Sequence, residues 1–165
     1  MRIYMDTEFL EDGKTIELIS VGLVKETNQR LYLESSEFDW DRPCVTNWLK
    51  RHVRPHLIGG EHLATRAEIA QQILDFAGVN PEFWAYFADY DWVVLCQLYG
   101  RMIDLPSGWP HLCRDLKQEM LRLGISKSQL PDQIGDLHHA LADAAWVKDA
   151  HEAILAHEAI LLRDK

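Results

Sequence analysis

Two segments of this chain carry an acidic side chain on a face that is otherwise apolar, and this placement limits how the chain can fold. Near the C-terminus, Asp143 lies on the same helical stripe as Val147. In the middle of the chain, Asp91 shares a helical face with Leu95, whereas Asp89 lies off that face and is predicted to cap the helix. Burying an isolated carboxylate is costly, so each inward acid is expected to be paired, protonated or bound to a metal ion.

The N-terminal segment MRIYMDTEFL supplies two more acids. Asp6 and Glu8 directly follow residues 3–5, which are predicted to form a short core strand, and ligand sites in α/β proteins form at strand ends. Four convergent carboxylates would repel one another strongly without cations. Two Mg²⁺ or Mn²⁺ ions roughly 4 Å apart would relieve that repulsion and stabilise the cleavage of a phosphodiester. The acids therefore predict a metal site for phosphate chemistry.

The order of the predicted elements indicates an α/β fold. Three strands (3–5, 16–24 and 30–34) come first, and helices follow with one more strand among them (helices 45–53, 64–78, 89–100, 114–123 and 137 to the end; strand 83–88). We expect a single domain, residues 1–165, built on a mixed sheet with antiparallel strands 1–3 plus parallel strands, flanked by helices.

Composition excludes several classes of protein. The net charge is −9, which argues against a broad surface that wraps nucleic acid through many phosphate contacts. The three cysteines show no spacing typical of a disulfide framework or a zinc ribbon. No apolar run approaches the roughly 20 residues of a membrane span, and the N-terminus does not resemble a signal peptide, so we expect a cytoplasmic protein with no membrane association.

The two sequence motifs differ in specificity. A D-x-E pair such as Asp6 and Glu8 is expected by chance roughly once in this composition, whereas the H-x-A-x-x-D pattern from His138 to Asp143 is expected about 0.06 times. Five helical steps turn a side chain about 140° away, so His138 must lie at or just before the start of the last helix to face Asp143. Asp136 is predicted to cap that helix.

These motifs, in this order, resemble the DEDDh 3′–5′ exonucleases, whose fold is ribonuclease H-like. The strings YMDTEFLEDGKTIELISVGLV, WLKRHVRPHL and YDWVVLCQLYG are similar to the small bacterial exoribonucleases typified by a mycobacterial enzyme and related to ribonuclease T. The resemblance implies that Asp6 bridges two Mg²⁺ or Mn²⁺ ions, that Glu8 and Asp143 complete the first site, and that Asp91 serves the second. His138 would be the general base.

The resemblance also implies the substrate and the partners. We expect RNA 3′ ends, single-stranded or overhanging, to be shortened with release of nucleoside 5′-monophosphates, and we expect a homodimer. Phe9 and Leu10 would form an apolar wedge against the terminal base, although ordinary core positions explain these two residues equally well. His139 competes with His138 for the role of base, but the pattern selects His138.

Three alternatives remain open at this point. A 3′–5′ DNA exonuclease of the proofreading or repair kind would use the same acids, because only a contact to the 2′-hydroxyl separates the two sugars. A non-catalytic nucleotide-binding module on the same fold would leave the costly buried acids without a purpose. A ribonuclease H-type endonuclease fits the acids but not the H-x-A-x-x-D pattern.

Overall fold

The computed structural model describes residues 1–163, with side chains described through residue 159. Its six strands are β1 Arg2–Glu11, β2 Ile16–Lys25, β3 Arg30–Ser35, β4 Leu63–Ala64, β5 Glu82–Ala85 and β6 Arg114–Asp115. They form one mixed sheet in the order β4-β3-β2-β1-β5-β6. Strands β1 to β3 are antiparallel neighbours, β5 and β6 extend the sheet in parallel beyond β1, and β4 pairs in parallel with β3. The predicted sheet type is confirmed.

Five α-helices flank the sheet in the described part of the chain: α1 Asn47–His52, α2 Arg66–Ala77, α3 Ala88–Gln97, α4 Leu116–Leu123 and α5 Ala140–Arg163. Alternation along the strands divides the core between the two faces. Ile3 and Met5 pack with α2 and α3, whereas Tyr4 packs with α4 and α5. The predicted continuation of the last helix through residue 165 extends outside the described residues. None of the helices in residues 1–163 is both long enough and apolar enough to cross a membrane.

Strand β1 is longer than predicted, so the expectation that the strand ends before the acids is wrong. Its antiparallel pairing with β2 continues to Glu11, whereas its parallel pairing with β5 stops at Tyr4. Asp6 and Glu8 therefore lie inside a strand but beyond the carboxyl end of the parallel pair. A β-bulge follows, because the β1–β2 register shifts between Glu8 and Phe9.

One face of β1 places the acids in a gap between two helices. Tyr4 lies in the cluster under α5, and Leu10 lies in a separate cluster with Leu49 of α1. Asp6 and Glu8 share that face and come between these two positions, because side chains alternate along a strand. The acids are therefore held in a rigid strand with packed residues on both sides.

Gly22 brings α5 onto the sheet. It pairs with Asp6 across β1 and β2, and a Cβ atom at Gly22 would overlap backbone atoms of Ala140 and Leu141. The first turn of α5 therefore rests directly on β2. This contact sets the height of Asp143 above the strand that carries Asp6 and Glu8.

Replacing Gly22 with alanine is expected to displace the first turn of α5. Because the overlap is with backbone atoms, we expect Gly22→Ala to lower the free energy of unfolding by about 1–3 kcal/mol or more and to weaken the binding of Mn²⁺. Urea unfolding and metal titration by calorimetry measure the two effects.

The matched control is Gly124→Ala at the end of α4. Gly124 has φ +70° with open space around it, so alanine there is strained but touches nothing near the acids. The control should lose stability and keep its metal affinity. Equal metal affinity in both variants would contradict the role assigned to Gly22.

Candidate active site

Three of the predicted metal ligands meet above β1. Asp6 and Glu8 come from the strand and Asp143 from the first turn of α5, and each offers a carboxylate oxygen within 4.8 Å of the other two. Asp91 and His138 line the same cleft, which has a volume of about 320 Å³. The structure thus brings together all five residues that were predicted to act in catalysis.

Asp91 is held by the free edge of β1. Its Oδ1 accepts hydrogen bonds from the backbone N of Thr7 at 2.8 Å and from Thr7 Oγ1 at 2.6 Å. These donors are available because β5 stops pairing with β1 at Tyr4. Asp91 is buried, and Asp89 is exposed. The predicted cap role of Asp89 is wrong, because the first N–H of α3, at Ala88, is bound by Asp115 Oδ2 at 3.1 Å.

Asp143 is oriented by a residue that precedes α5. Gln133 Nε2 donates to Asp143 Oδ1 at 2.6 Å, which leaves the other carboxylate oxygen free of this bond. Thr7 engages Asp91 in the same way, through one oxygen alone. Both acids are therefore fixed in position through one oxygen, and the second oxygen of each is free of these particular bonds.

The two adjacent histidines have different environments. His139 caps α5, because its carbonyl accepts from the N–H groups of Ala142 at 2.8 Å and Asp143 at 3.0 Å, and its ring stacks on Tyr32 at 4.5 Å. His138 lines the cleft and has φ +64°. The predicted cap at Asp136 is wrong, and α5 begins three residues later than predicted.

Burial dominates the electrostatics of the acids. It raises the pKa of Asp6 well above its usual value, and the charges of Asp91, Asp143 and Glu8 add to the effect. Burial, with Asp143 and Asp91 nearby, raises the pKa of Glu8 to about 8. Burial also raises the pKa of Asp91 to about 6 against the opposing hydrogen bonds from Thr7, and it raises the pKa of Asp143 against the bond from Gln133. Without cations, the cluster therefore resists full ionisation at neutral pH.

The donor set fits hard divalent cations. The ligand atoms are carboxylate oxygens, which Mg²⁺ and Mn²⁺ prefer, and the cleft is open enough to leave coordination positions to water and phosphate. A cation would also offset the carboxylate repulsion that, after burial, adds to the raised pKa of Asp6. The residues present thus fit a hard divalent cation, and which cation binds stays a prediction.

Only one of the two predicted wedge residues reaches the cleft. Phe9 lines it and stacks on Tyr90 of α3, with ring centroids 5.8 Å apart and the planes 8° from parallel. Leu10 is 4% exposed and packs with Val45 and Leu49 under α1. The structure therefore places Leu10 in the core rather than in the cleft.

Residues 1–155 match the family described as the 3′-5′ exoribonuclease Rv2179c-like domain. The chain belongs to this family. It is 39% identical over 150 residues to two proteins of Mycobacterium tuberculosis strains, named 3′-5′ exoribonuclease Rv2179c and 3′-5′ exoribonuclease MT2234.1, and the match covers 87% of each chain. The predicted resemblance and the predicted exoribonuclease class are confirmed at the level of the family.

A solved structure supports the fold. An exonuclease I from Methylocaldum szegediense superposes with a TM-score of 0.62 at 14% identity, over 94% of this chain and 40% of that one. This chain thus spans less than half the length of that structure, and the likeness concerns the fold alone. The predicted ribonuclease H-like architecture is confirmed.

Three residues that shape this site were not predicted from the sequence. Thr7 lies between Asp6 and Glu8. Its role as a hydrogen-bond donor to Asp91 could be predicted only by knowing where β5 stops pairing with β1. Gln133 lies ten residues before its partner Asp143, in a loop with no periodic pattern. Gly22 carried a signal, because a glycine inside a strand often marks a close backbone approach.

The acid cluster predicts an unusual pH dependence of stability in this family member. Because burial raises the pKa of Glu8 from 4.5 to about 8, the folded state binds more protons than the unfolded state between these two pH values. In EDTA, Tm is therefore expected to fall as pH rises from about 5 to 8, and saturating Mg²⁺ should abolish most of the fall. Thermal unfolding followed by circular dichroism measures it.

Two variants test whether Glu8 contributes to the fall of Tm in EDTA. Glu8→Gln should make the fall in Tm in EDTA smaller, because one of the titrating acids is gone while Asp6 and Asp91 remain. Asp89→Asn, which changes an exposed acid, should retain the full dependence. A Tm in EDTA that rises over the same pH range would contradict the raised pKa.

Proposed function

We propose that the protein is a single-domain, metal-dependent 3′–5′ exoribonuclease that uses two Mg²⁺ or Mn²⁺ ions and releases nucleoside 5′-monophosphates. The observation that carries the proposal is the convergence of Asp6, Glu8 and Asp143 within 4.8 Å, beside Asp91 and His138 in one open cleft. Family membership supports RNA as the substrate.

The acids would share the ions unequally. Asp6, Glu8 and Asp143 form the tighter group and would hold the first ion, and Asp91 with Asp6 would hold the second. When bound, the ions supply charge stabilisation for the attacking and leaving oxygens of the phosphodiester. Thr7 and Gln133 would keep their acids in place, because each donates a hydrogen bond to one carboxylate oxygen of its partner, Asp91 or Asp143.

His138 would accept the proton of the attacking water. Its side chain lines the cleft beside the acids, and an imidazole ring can accept a proton through one of its nitrogens, which suits a general base. His139 is occupied by its capping and stacking contacts, which leaves His138 as the proposed base.

Exposed aromatic rings at the cleft favour single-stranded or overhanging 3′ ends. Phe87 and Tyr90 are 60% and 51% exposed at its rim, and Phe9 lies against Tyr90. Aromatic rings of this kind stack on unpaired bases, which a continuous duplex does not offer.

The homodimer and the cytoplasmic location remain predictions.

Degradation of labelled oligonucleotides tests the function. With Mg²⁺, 5′-labelled RNA should shorten stepwise from its 3′ end, and EDTA should stop the reaction. Asp91→Asn should lower the rate on the order of 10²-fold or more, because charge stabilisation by metal is worth several kcal/mol. Asp89→Asn, two residues away and exposed, should retain the rate.

The matched DNA strand decides between the alternatives. Preferential shortening of DNA would support a repair-type exonuclease instead. No shortening of either strand, with Mg²⁺ or Mn²⁺, would support the non-catalytic binding module.

Phe9 and Leu10 should respond differently to truncation. Phe9→Ala is expected to raise KM for RNA by roughly 5- to 150-fold, because stacking on a base is worth about 1–3 kcal/mol. Leu10→Ala is expected to lower the free energy of unfolding by about 2–5 kcal/mol through a core cavity, with KM unchanged. Steady-state kinetics measure KM and urea unfolding measures the free energy of unfolding for both variants. An equal rise of KM in the two variants would indicate that Leu10 also contacts the substrate.

A further inference from the structure

A short helix outside the acid cluster contacts the ring of His138. Trp48 of α1 lies edge-to-face against it, with centroids 4.8 Å apart and the planes at 79°. His52 lies one turn later in the helix and stacks on the Trp48 ring, with ring centroids 5.0 Å apart and the planes at 24°. The ring centroid of His52 lies 6.3 Å from that of His138. Three rings therefore form a continuous group that ends at the proposed base.

His138 needs such a support. Its φ of +64° is a conformation that costs a non-glycine residue about 1 kcal/mol or more, and it lies in the connection that leads into α5. Among the described residues, no hydrogen bond restrains its ring, whereas Asp91 and Asp143 are each fixed by a donor. At His138, the contact with the Trp48 ring therefore stands where a hydrogen-bond donor stands at Asp91 and Asp143.

The helix that carries Trp48 is itself anchored to the sheet. Leu49 is buried in the cluster that includes Leu10 and Ile19, and the Thr46 side chain caps the helix by accepting from the N–H of Leu49 at 3.2 Å. His52 Nδ1 lies 3.0 Å from the carbonyl oxygen of Trp48, which ties the stacked rings to the helix backbone. A helix fixed in this way can hold the Trp48 ring at a constant position against His138.

Burial does not explain the position of Trp48. The residue is 48% exposed, although its neighbour Leu49 contributes fully to the core. An exposed indole beside a catalytic cleft has two uses: it can stack on a nucleobase, or it can hold another side chain in place. The edge-to-face contact with His138 favours the second.

We propose that Trp48 is a positioning residue, which holds the ring of His138 at the acid cluster and is itself backed by His52. This inference rests on the proposed function, because it takes His138 as the general base. A general base that is already in position does not have to be ordered in each turnover. Loss of the contact that holds it should therefore lower kcat rather than raise KM.

Steady-state kinetics on a short single-stranded RNA test the proposal. Trp48→Ala is expected to lower kcat on the order of ten- to a hundred-fold with KM unchanged, because a displaced catalytic group loses that much. Trp48→Phe, which keeps a ring against His138, should restore most of kcat. Asn47→Ala, an exposed neighbour on the same helix, should leave both parameters and Tm unchanged.

A double-mutant cycle separates positioning from stacking on a base. If Trp48 acts through His138, Trp48→Ala should have little further effect on kcat in a His138→Ala background. An effect of the same size in both backgrounds, a rise in KM with kcat unchanged, or no change in either parameter would each overturn the proposal.

A readout that does not need activity keeps this inference distinct from the proposed function. The ring protons of His138 should show a ring-current shift in NMR spectra that disappears in Trp48→Ala, and an unchanged shift would overturn the proposal even for an active enzyme. Absence of RNA cleavage by the wild-type protein, with the ring-current shift present, would instead reject the function and leave the contact between the two rings established.

Discussion

The rest of the site depends on the contact between Gly22 and the first turn of α5. Because Gly22 lacks a side chain, the backbone at Ala140 and Leu141 can lie on β2 beside Asp6. Asp143 follows within one turn and so faces the two acids of β1. The contact also gives a physical reason for the alanine in the H-x-A-x-x-D pattern, since Ala140 is fully buried and a larger side chain would lift the helix.

Packing and charge oppose one another in this arrangement. Burial raises the pKa of Asp6 and Glu8, which means that the folded chain is under electrostatic strain whenever both are ionised. The apolar clusters on either side, with Tyr4 under α5 and Leu10 under α1, hold the backbone rigid enough to withstand it. Such strain at a functional site is expected, because the ligand that relieves it is bound more tightly for that reason.

The sequence predicted what local patterns determine. Helical periodicity identified Asp91 and Asp143 as inward-facing acids, and both are in the cleft. The errors concern features that tertiary contacts decide. The length of β1 depends on its β2 partner, and the cap of α5 falls at His139 rather than Asp136 because Tyr32 of β3 supplies a stacking surface for its ring.

Leu10 illustrates a deeper limit of reasoning from position in the sequence. It is adjacent to Phe9, yet the strand sends the two side chains to opposite faces, and only the arrival of α1 determines that the face of Leu10 is covered. The same helix brings Trp48 to His138, across 90 residues of sequence that carry no sign of the pairing. Inward-facing acids are recognisable in a sequence because their burial is costly, whereas a residue such as Trp48 makes an ordinary aromatic contact. Its position follows from the packing of α1, which local periodicity does not specify.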